Sequence, residues 1–287
     1  MYAVTGITGK VGGAAAKALL EAGHKVRAIV RDEEKGRPWA ERGCEVAIAS
    51  AGDVPALTRA FAGVEGVFLM NPPNYDPAPG FPGTVALNEA NIAALTAAKP
   101  GRVVFLSTVG GHVERFSLLN NSHMTENALR SLSIPVAFVR AGWFMENAAW
   151  DVPAARGGVI PSFLQPLDHP IPMVASADIG RTVAKVLCEE WQRLRVVELE
   201  GPRRYSASDI AKAFSSVLGR PVRSETVPRD TWESLFRSQG MKHPEPRIQM
   251  LDGFNAGWID FEGTPQDVLR GTTPLETVIQ ELVRRAQ

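Results

Sequence analysis

The stretch Tyr2-Ala3-Val4-Thr5-Gly6-Ile7-Thr8-Gly9-Lys10-Val11-Gly12 decides how the chain is read. An apolar run, Tyr2–Thr5, reads as a strand. Three glycines follow it, and then a segment of helical period, Val11–Ala22. In such a strand-to-helix turn Gly6 permits the tight turn and Gly9 lets the backbone come close to a phosphate. Gly12 lets the helix pack closely on the strand. The helix N-terminus then turns unpaired N–H groups and the positive end of its dipole toward an anion. The spacing is Gly-x-x-Gly-x-x-Gly rather than the commoner Gly-x-Gly-x-x-Gly. Three glycines alone would also suit a tight connection without a ligand. Their place at the head of a strand–helix–strand unit favours a dinucleotide pyrophosphate.

Working outward, further strand runs are Val26–Val30, Glu45–Ile48, Gly66–Met70, Val103–Leu106 and Val136–Val139. Most are continuously apolar, as parallel strands covered on both faces are. Helical segments alternate with them at Lys35–Arg42, Val54–Ala62, Val85–Ala98 and Leu118–Ser131. This alternation predicts an α/β fold, a Rossmann-type doubly wound parallel sheet. The Pro- and Gly-rich Asn71–Gly83 reads as a loop. After Arg140 the pattern loosens through five prolines up to residue 172. A helix starts near Asp178, and a strand follows at Val196–Leu199. Ser206 or Ser208 caps a helix over Asp209–Leu218, which Gly219 and Pro221 stop. A last helix runs from about Pro274 to Arg284-Arg285. We therefore divide the chain into a nucleotide-binding domain, 1–156, and a smaller α/β lobe, 157–287. One or two strands of the second part are expected to return to the main sheet.

The 287 residues carry 31 basic and 31 acidic side chains, for a net charge of zero. A neutral balance argues against nucleic acid as the partner. The hydrophobic share of 45% argues against disorder. The two cysteines, Cys44 and Cys188, lie far apart and read as small apolar residues; no spacing suggests a metal site or a disulfide scaffold. No apolar run approaches the length of a membrane span and no signal segment is visible, so a cytoplasmic protein is expected.

The end of the second strand selects between cofactors. An acid there bonds the 2′-hydroxyl of NAD, whereas an arginine accommodates the 2′-phosphate of NADP. Both stand side by side as Arg31-Asp32, with Lys35 and Arg37 close behind. Three cations in one turn suit a dianionic phosphate, so NADP(H) is favoured over NAD(H). The plainer alternative is a solvated charged turn that opens a helix.

Four segments carry a family resemblance: the glycine turn, Ile29–Lys35, Ala60–Met70 and Val139–Asn147. The chain resembles the NmrA-like atypical short-chain dehydrogenases over essentially its whole length. Its size and the ending Thr272–Ile279 are similar to the branch of triphenylmethane reductase and NADPH:quinone oxidoreductase. That branch also holds NADP-binding regulators. The resemblance implies that Gly6, Thr8, Gly9, Lys10, Val11 and Gly12 hold the pyrophosphate, and that Arg31 and Lys35 hold the 2′-phosphate. It implies that Asn71 and Pro72 lie along the cofactor, and that Ala141, Gly142 and Trp143 lie near the nicotinamide. Relatives often carry Gly-Asp-x-x-Asp after the third strand. Here Ala49-Ser50 replaces its first pair, so the uncharged Ser50 takes the adenine end, which is expected to be held less tightly. Asp53 falls on the second Asp and reads as an N-cap.

The acid of short-chain dehydrogenases is a Tyr with Lys four residues later. The three tyrosines, Tyr2, Tyr75 and Tyr205, are followed at that spacing by Gly6, Pro79 and Asp209. Many NmrA-like proteins place a Lys on the helix before Val136–Val139, and alignment puts His123 there. A histidine can donate a proton near neutral pH, which makes His123 the catalytic candidate; a hydrogen-bonded helix histidine is the plainer reading. Ketone reduction needs such a proton. A cationic triarylmethyl dye does not, and a quinone yields a hydroquinone anion that water protonates. Tyr75, Phe81, Trp143 and Phe144 would wall a pocket for such a flat acceptor. Three readings result: a reductase of quinone-like or other flat conjugated acceptors, a non-catalytic NADP(H)-binding redox regulator with a protein partner, and a biosynthetic reductase or isomerase with His123 as its acid. No metal is expected.

Overall fold

The computed structural model describes residues 1–286. Each early apolar run forms a strand: β1 (Tyr2–Val4), β2 (Val26–Val30), β3 (Glu45–Ile48), β4 (Gly66–Leu69), β5 (Val103–Thr108) and β6 (Val136–Ala141). Between them lie α1 (Lys10–Glu21), α2 (Glu33–Ala40), α3 (Val54–Phe61), α4 (Pro82–Ala98) and α5 (Asn120–Leu129). Helix α4 starts three residues before the apolar period does. Pro82 fixes a helical φ at its first position, and Phe81 turns the chain into it at φ 55°.

After β6 come β7 (Trp143–Phe144), a 3₁₀ turn (Met145–Asp151), α6 (Val152–Gly157), β8 (Val159–Ser162) and β9 (Met173–Val174). Then follow α7 (Ser176–Cys188), β10 (Leu194–Glu200), α8 (Ala207–Leu218) and β11 (Arg223–Thr226). The chain ends with α9 (Trp232–Ser238), α10 (Glu245–Asn255), β12 (Leu269–Arg270) and α11 (Leu275–Arg285). Ser206 caps α8 in a reciprocal capping box with Asp209.

The main sheet is parallel throughout, in the order β12-β10-β6-β5-β4-β1-β2-β3. The order reverses at β1, whose neighbours are β2 and β4. The crevice at their carboxyl ends is where open α/β sheets bind ligands. One face is closed by α1 and α7 over Val4, Val30 and Val139, and the other by α3 and α4 over Phe61, Phe105 and Phe138. Helices α1 and α7 approach closely because Gly180 has no side chain; a Cβ there would lie 2.7 Å from the Ala15 nitrogen. The chain beyond residue 157 thus feeds the sheet with β10 and β12 and covers it with α7. Helices α6, α8, α10 and α11 build a separate core around Phe214, Phe254 and Ile279.

Asp151, in the connection after β6, gives a stability prediction. Burial without a compensating partner pushes its carboxyl up to about 7, from an ordinary 3.8. The folded state therefore holds a proton that the unfolded state releases. Stability from this group is complete below about pH 4 and is lost as the pH climbs through 7. Melting curves of wild type and Asp151→Asn should coincide near pH 4. The variant's advantage should open between pH 4 and 7 and stay level above. A constant difference from pH 4 to 8 would refute the assignment.

Candidate functional site

The glycine turn lies at the switch point. Gly6 adopts φ 59°, the left-handed region where a side chain is strained, and a Cβ there would strike the Met70 side chain. The Gly9 N–H donates to the Gly6 carbonyl at 2.9 Å, closing the turn. Gly12 is buried against that carbonyl; its Cβ would lie 2.6 Å from the Gly6 carbonyl carbon. Thr5 ties the turn to β4, because its hydroxyl donates to the Phe68 carbonyl and accepts from the Met70 N–H. Gly6, Thr8, Gly9 and Lys10 remain exposed. Gly9, the N-cap of α1, offers no side chain to cap the first-turn N–H groups of the helix.

At the end of β2 the two charges separate in role. Asp32 caps α2, accepting the Lys35 N–H at 2.9 Å, and pairs with the Lys35 ammonium at 3.3 Å. That N–H and the Lys35 ammonium hold the Asp32 carboxyl below its usual range. Arg31 is exposed beside it and has no carboxylate within 4.0 Å among the described residues. The acid is thus committed to the helix, and the arginine is free to meet an anion. Ser50 is exposed beyond β3, and Asp53 caps α3 by accepting the Ala56 N–H at 3.0 Å.

Asn71 turns its side chain inward. It donates to Thr125 Oγ1 at 2.9 Å and accepts from Asn91 at 3.3 Å, which fastens the loop after β4 to α4 and α5. Pro72 is exposed just beyond it. Asp76 ties the same loop to the segment before α10. Its carboxylate accepts the N–H groups of Lys242 and His243 at 2.8 and 2.6 Å.

After β6, the Gly142 N–H donates to Leu199, and a Cβ on Gly142 would lie 2.7 Å from the Pro172 carbonyl oxygen. Ala141 is buried at the strand end. The bend sends Trp143 toward α10, where it meets Phe254 edge-on at 5.3 Å, and sends Phe144 into the main core. Phe81 is also buried, edge-on to the exposed Phe116 at 6.3 Å, while Tyr75 stands open on its loop. The four aromatic candidates therefore divide: Tyr75 is exposed, Trp143 and Phe144 are half-buried against two different cores, and Phe81 is buried.

His123 lies on α5 with both ring nitrogens engaged. Asn127 Nδ2 donates to Nε2 at 2.9 Å, which puts the ring proton on Nδ1, 3.0 Å from the Gly111 carbonyl. The ring thus holds the turn after β5 and has no spare N–H for a ligand.

A larger polar cluster lies under that turn. Arg140, in the middle of apolar β6, is only 1% exposed. It grips Glu126 through two parallel bonds of 2.9 and 2.8 Å and meets Glu262 at 2.6 Å and Glu198 at 3.5 Å. Ser107 donates to Glu126 at 2.6 Å. These bonds hold Glu262 below the ordinary carboxylate range. His112, Glu198 and Glu262 bring ligand atoms within 4.8 Å of one another. The Arg140 guanidinium already neutralises these carboxylates, so the donor set does not suit a metal ion. Sequence reading missed this cluster; a lone arginine inside the apolar run Val136–Ala141 was its signal.

The NmrA-like family profile matches residues 2–257. Quinone oxidoreductase 2 of Escherichia coli (strain K12) is 27% identical over 90% of this chain and 87% of its own. Its NADPH complex superposes with a TM-score of 0.81 over 98% and 99% of the two chains. A (4-alkanoyl-5-oxo-2,5-dihydrofuran-3-yl)methyl phosphate reductase of Streptomyces griseus is 31% identical over 86% of this chain and 83% of its own. The triphenylmethane reductase of Citrobacter sp. shares the fold at a TM-score of 0.80 and 23% identity, covering 99% of each chain. A profile matched over most of its length, on a Rossmann-type sheet with this glycine turn at the switch point, makes the chain a member of the NmrA-like family.

Proposed function

We propose that the protein is an NADPH-dependent reductase of quinone-like or other flat conjugated acceptors. The observation that carries the reading is the open glycine turn beside an Arg31 that has no carboxylate partner among the described residues. First-turn N–H groups of α1 suit a pyrophosphate, and a guanidinium suits the 2′-phosphate while Asp32 is kept at its cap. A reduced nicotinamide supplies the hydride when bound. The residues of this chain would then orient and shield it. Gly142 bends the chain beside the ring's expected place, and Trp143 offers a flat wall. The Asp76 clasp holds the loop after β4 to the segment before α10.

With no Tyr-x-x-x-Lys and with the His123 proton turned to Gly111, no side-chain acid stands ready. Acceptors whose reduced form needs no enzymatic proton fit best. The relatives support this class, since they include a quinone oxidoreductase and a reductase of a conjugated lactone. The missing acid is also what favours the second reading, a non-catalytic NADP(H)-binding regulator acting through a protein partner.

Fluorescence titration with NADPH and NADH, followed by NADPH oxidation with a panel of quinones and dyes, separates the two. Tight binding with quinone turnover is expected. Binding without turnover across the panel would leave the regulator, and affinity for neither nucleotide would overturn both. Arg31→Ala should weaken NADPH by roughly 10-fold or more and leave NADH nearly unchanged.

A further inference from the structure

Arg247 is a charge without a counter-charge. It lies in the first turn of α10, in the lobe that Asp76 clasps to the loop after β4. The segment just before it meets the loop after β5, where the Leu118 N–H donates to the Pro246 carbonyl at 2.8 Å. The guanidinium is half-buried. It sits over the Phe236 ring at 4.5 Å from the centroid, and its one side-chain polar contact is the Met241 sulfur at 3.8 Å. Among the described residues no carboxylate lies within 4.0 Å of it. Burial lowers its pKa, and the ionisable neighbour that counters this is the Tyr75 phenol, on the β4 loop bordering the crevice.

The other sheltered arginines among the described residues, Arg27, Arg102, Arg140, Arg195 and Arg204, all bond carboxylate or carbonyl oxygens. Arg140 has three carboxylates around it. Desolvating a guanidinium that stays charged at any working pH, with a ring face and a thioether as its partners, costs stability. A cation held this way is suited to receive an anion from outside. Its fork matches a carboxylate, sulfonate or phosphate; Phe236 is fully buried beneath it, and the exposed Tyr75 is the ring that would meet an aromatic body.

We propose that Arg247 is the anion-recognition residue of the substrate pocket, and that the acceptors taken are aromatic or conjugated compounds bearing an acidic group. This rests on the reductase reading for its use, but its chemistry is an equilibrium one. Cationic dyes should be disfavoured by the same charge.

The test uses redox-inert probes on the protein saturated with NADP⁺. 2-Naphthalenesulfonate and the neutral 2-naphthalenesulfonamide are titrated by calorimetry into wild type, Arg247→Met and Arg247→Lys. Wild type should bind the sulfonate at least 10-fold more tightly than the sulfonamide. Arg247→Met should lose roughly 10–100-fold for the sulfonate and stay within about twofold for the sulfonamide. Arg247→Lys should recover part of the loss. The melting temperature of Arg247→Met without probe should hold or rise, because an uncompensated charge is removed. Equal sulfonate affinity in wild type and Arg247→Met would overturn the proposal, as would no sulfonate preference in wild type. A lower melting temperature with unchanged sulfonate binding would also overturn it by assigning Arg247 to packing. These readings need no turnover. A protein that reduces neutral quinones yet fails them sinks this inference alone, and one that passes them without turnover sinks the reductase reading alone.

Discussion

Gly12→Ala should abolish measurable NADPH binding while leaving the fold intact. The added Cβ would lie 2.6 Å from the Gly6 carbonyl carbon and 2.9 Å from the Ile7 nitrogen, both backbone atoms that cannot swing aside. Either α1 moves off the sheet or the turn opens. Both displace the N–H groups of Lys10 and Val11 from the place where they would converge on an anion. Overpacking of this kind costs about 1–3 kcal/mol, and the binding geometry is lost along with it. NADPH affinity should fall by roughly 100-fold or more in a fluorescence titration, with an unchanged circular dichroism spectrum. The neighbouring Gly13→Ala is the control, since its Cβ meets its nearest atom at 3.1 Å and lies away from the Gly6 carbonyl. Affinity of Gly12→Ala within threefold of wild type would show that the turn does not hold the cofactor.

The second large effect is on stability. Arg140→Met leaves Glu126, 1% exposed, and Glu198, 6% exposed, without their shared cation. Breaking a buried pair from one side costs about 3–5 kcal/mol. For a chain of this size that is a fall in melting temperature of roughly 10 °C. The double variant Glu126→Gln with Arg140→Met removes charge from both sides and should regain part of the loss. A single variant that melts within 2 °C of wild type would mean that water or Arg130, 3.7 Å from Glu126, takes over the role. The turn Thr108–His112 rests on this cluster, since Gly111 leaves no room for a side chain between it and the Glu126 and Ser107 oxygens. Loss of Arg140 should therefore disturb the crevice before it unfolds the chain.

Much of this architecture is legible without coordinates because it is local. Val26–Val30 and Glu45–Ile48 are strands to the residue, since a short, largely apolar run bounded by polar turns has few other uses. Asp53 reads as a cap from its place before Val54-Pro55, and it caps. Boundaries slip where the decisive residue is not apolar. Helix α4 starts at Pro82, and α5 is shorter than its apolar period at both ends.

Side-chain roles are another matter. His123 is a proton donor or a brace according to what lies beside its two nitrogens, and both neighbours come from the fold: Gly111 across the turn and Asn127 one helical turn on. Arg31 and Asp32 look equivalent in sequence until the Lys35 N–H claims the carboxylate. Arg247 has no motif at all. Its isolation from the carboxylates of the described residues depends on the packing of the neighbouring helices α9 and α10 and on the β4 loop, which is remote from them in the chain.

The parallel sheet, the glycine turn at its head, the family and the lack of a Tyr-x-x-x-Lys acid can all be read from the order of residues. Each is a matter of residue type and spacing within a few turns of chain. Which charges are spent and which are free emerges from the folded chain alone. Whether a carboxylate or guanidinium is neutralised depends on distances of a few ångströms between strands and helices brought together from remote positions, and Coulomb energy and desolvation turn on those distances.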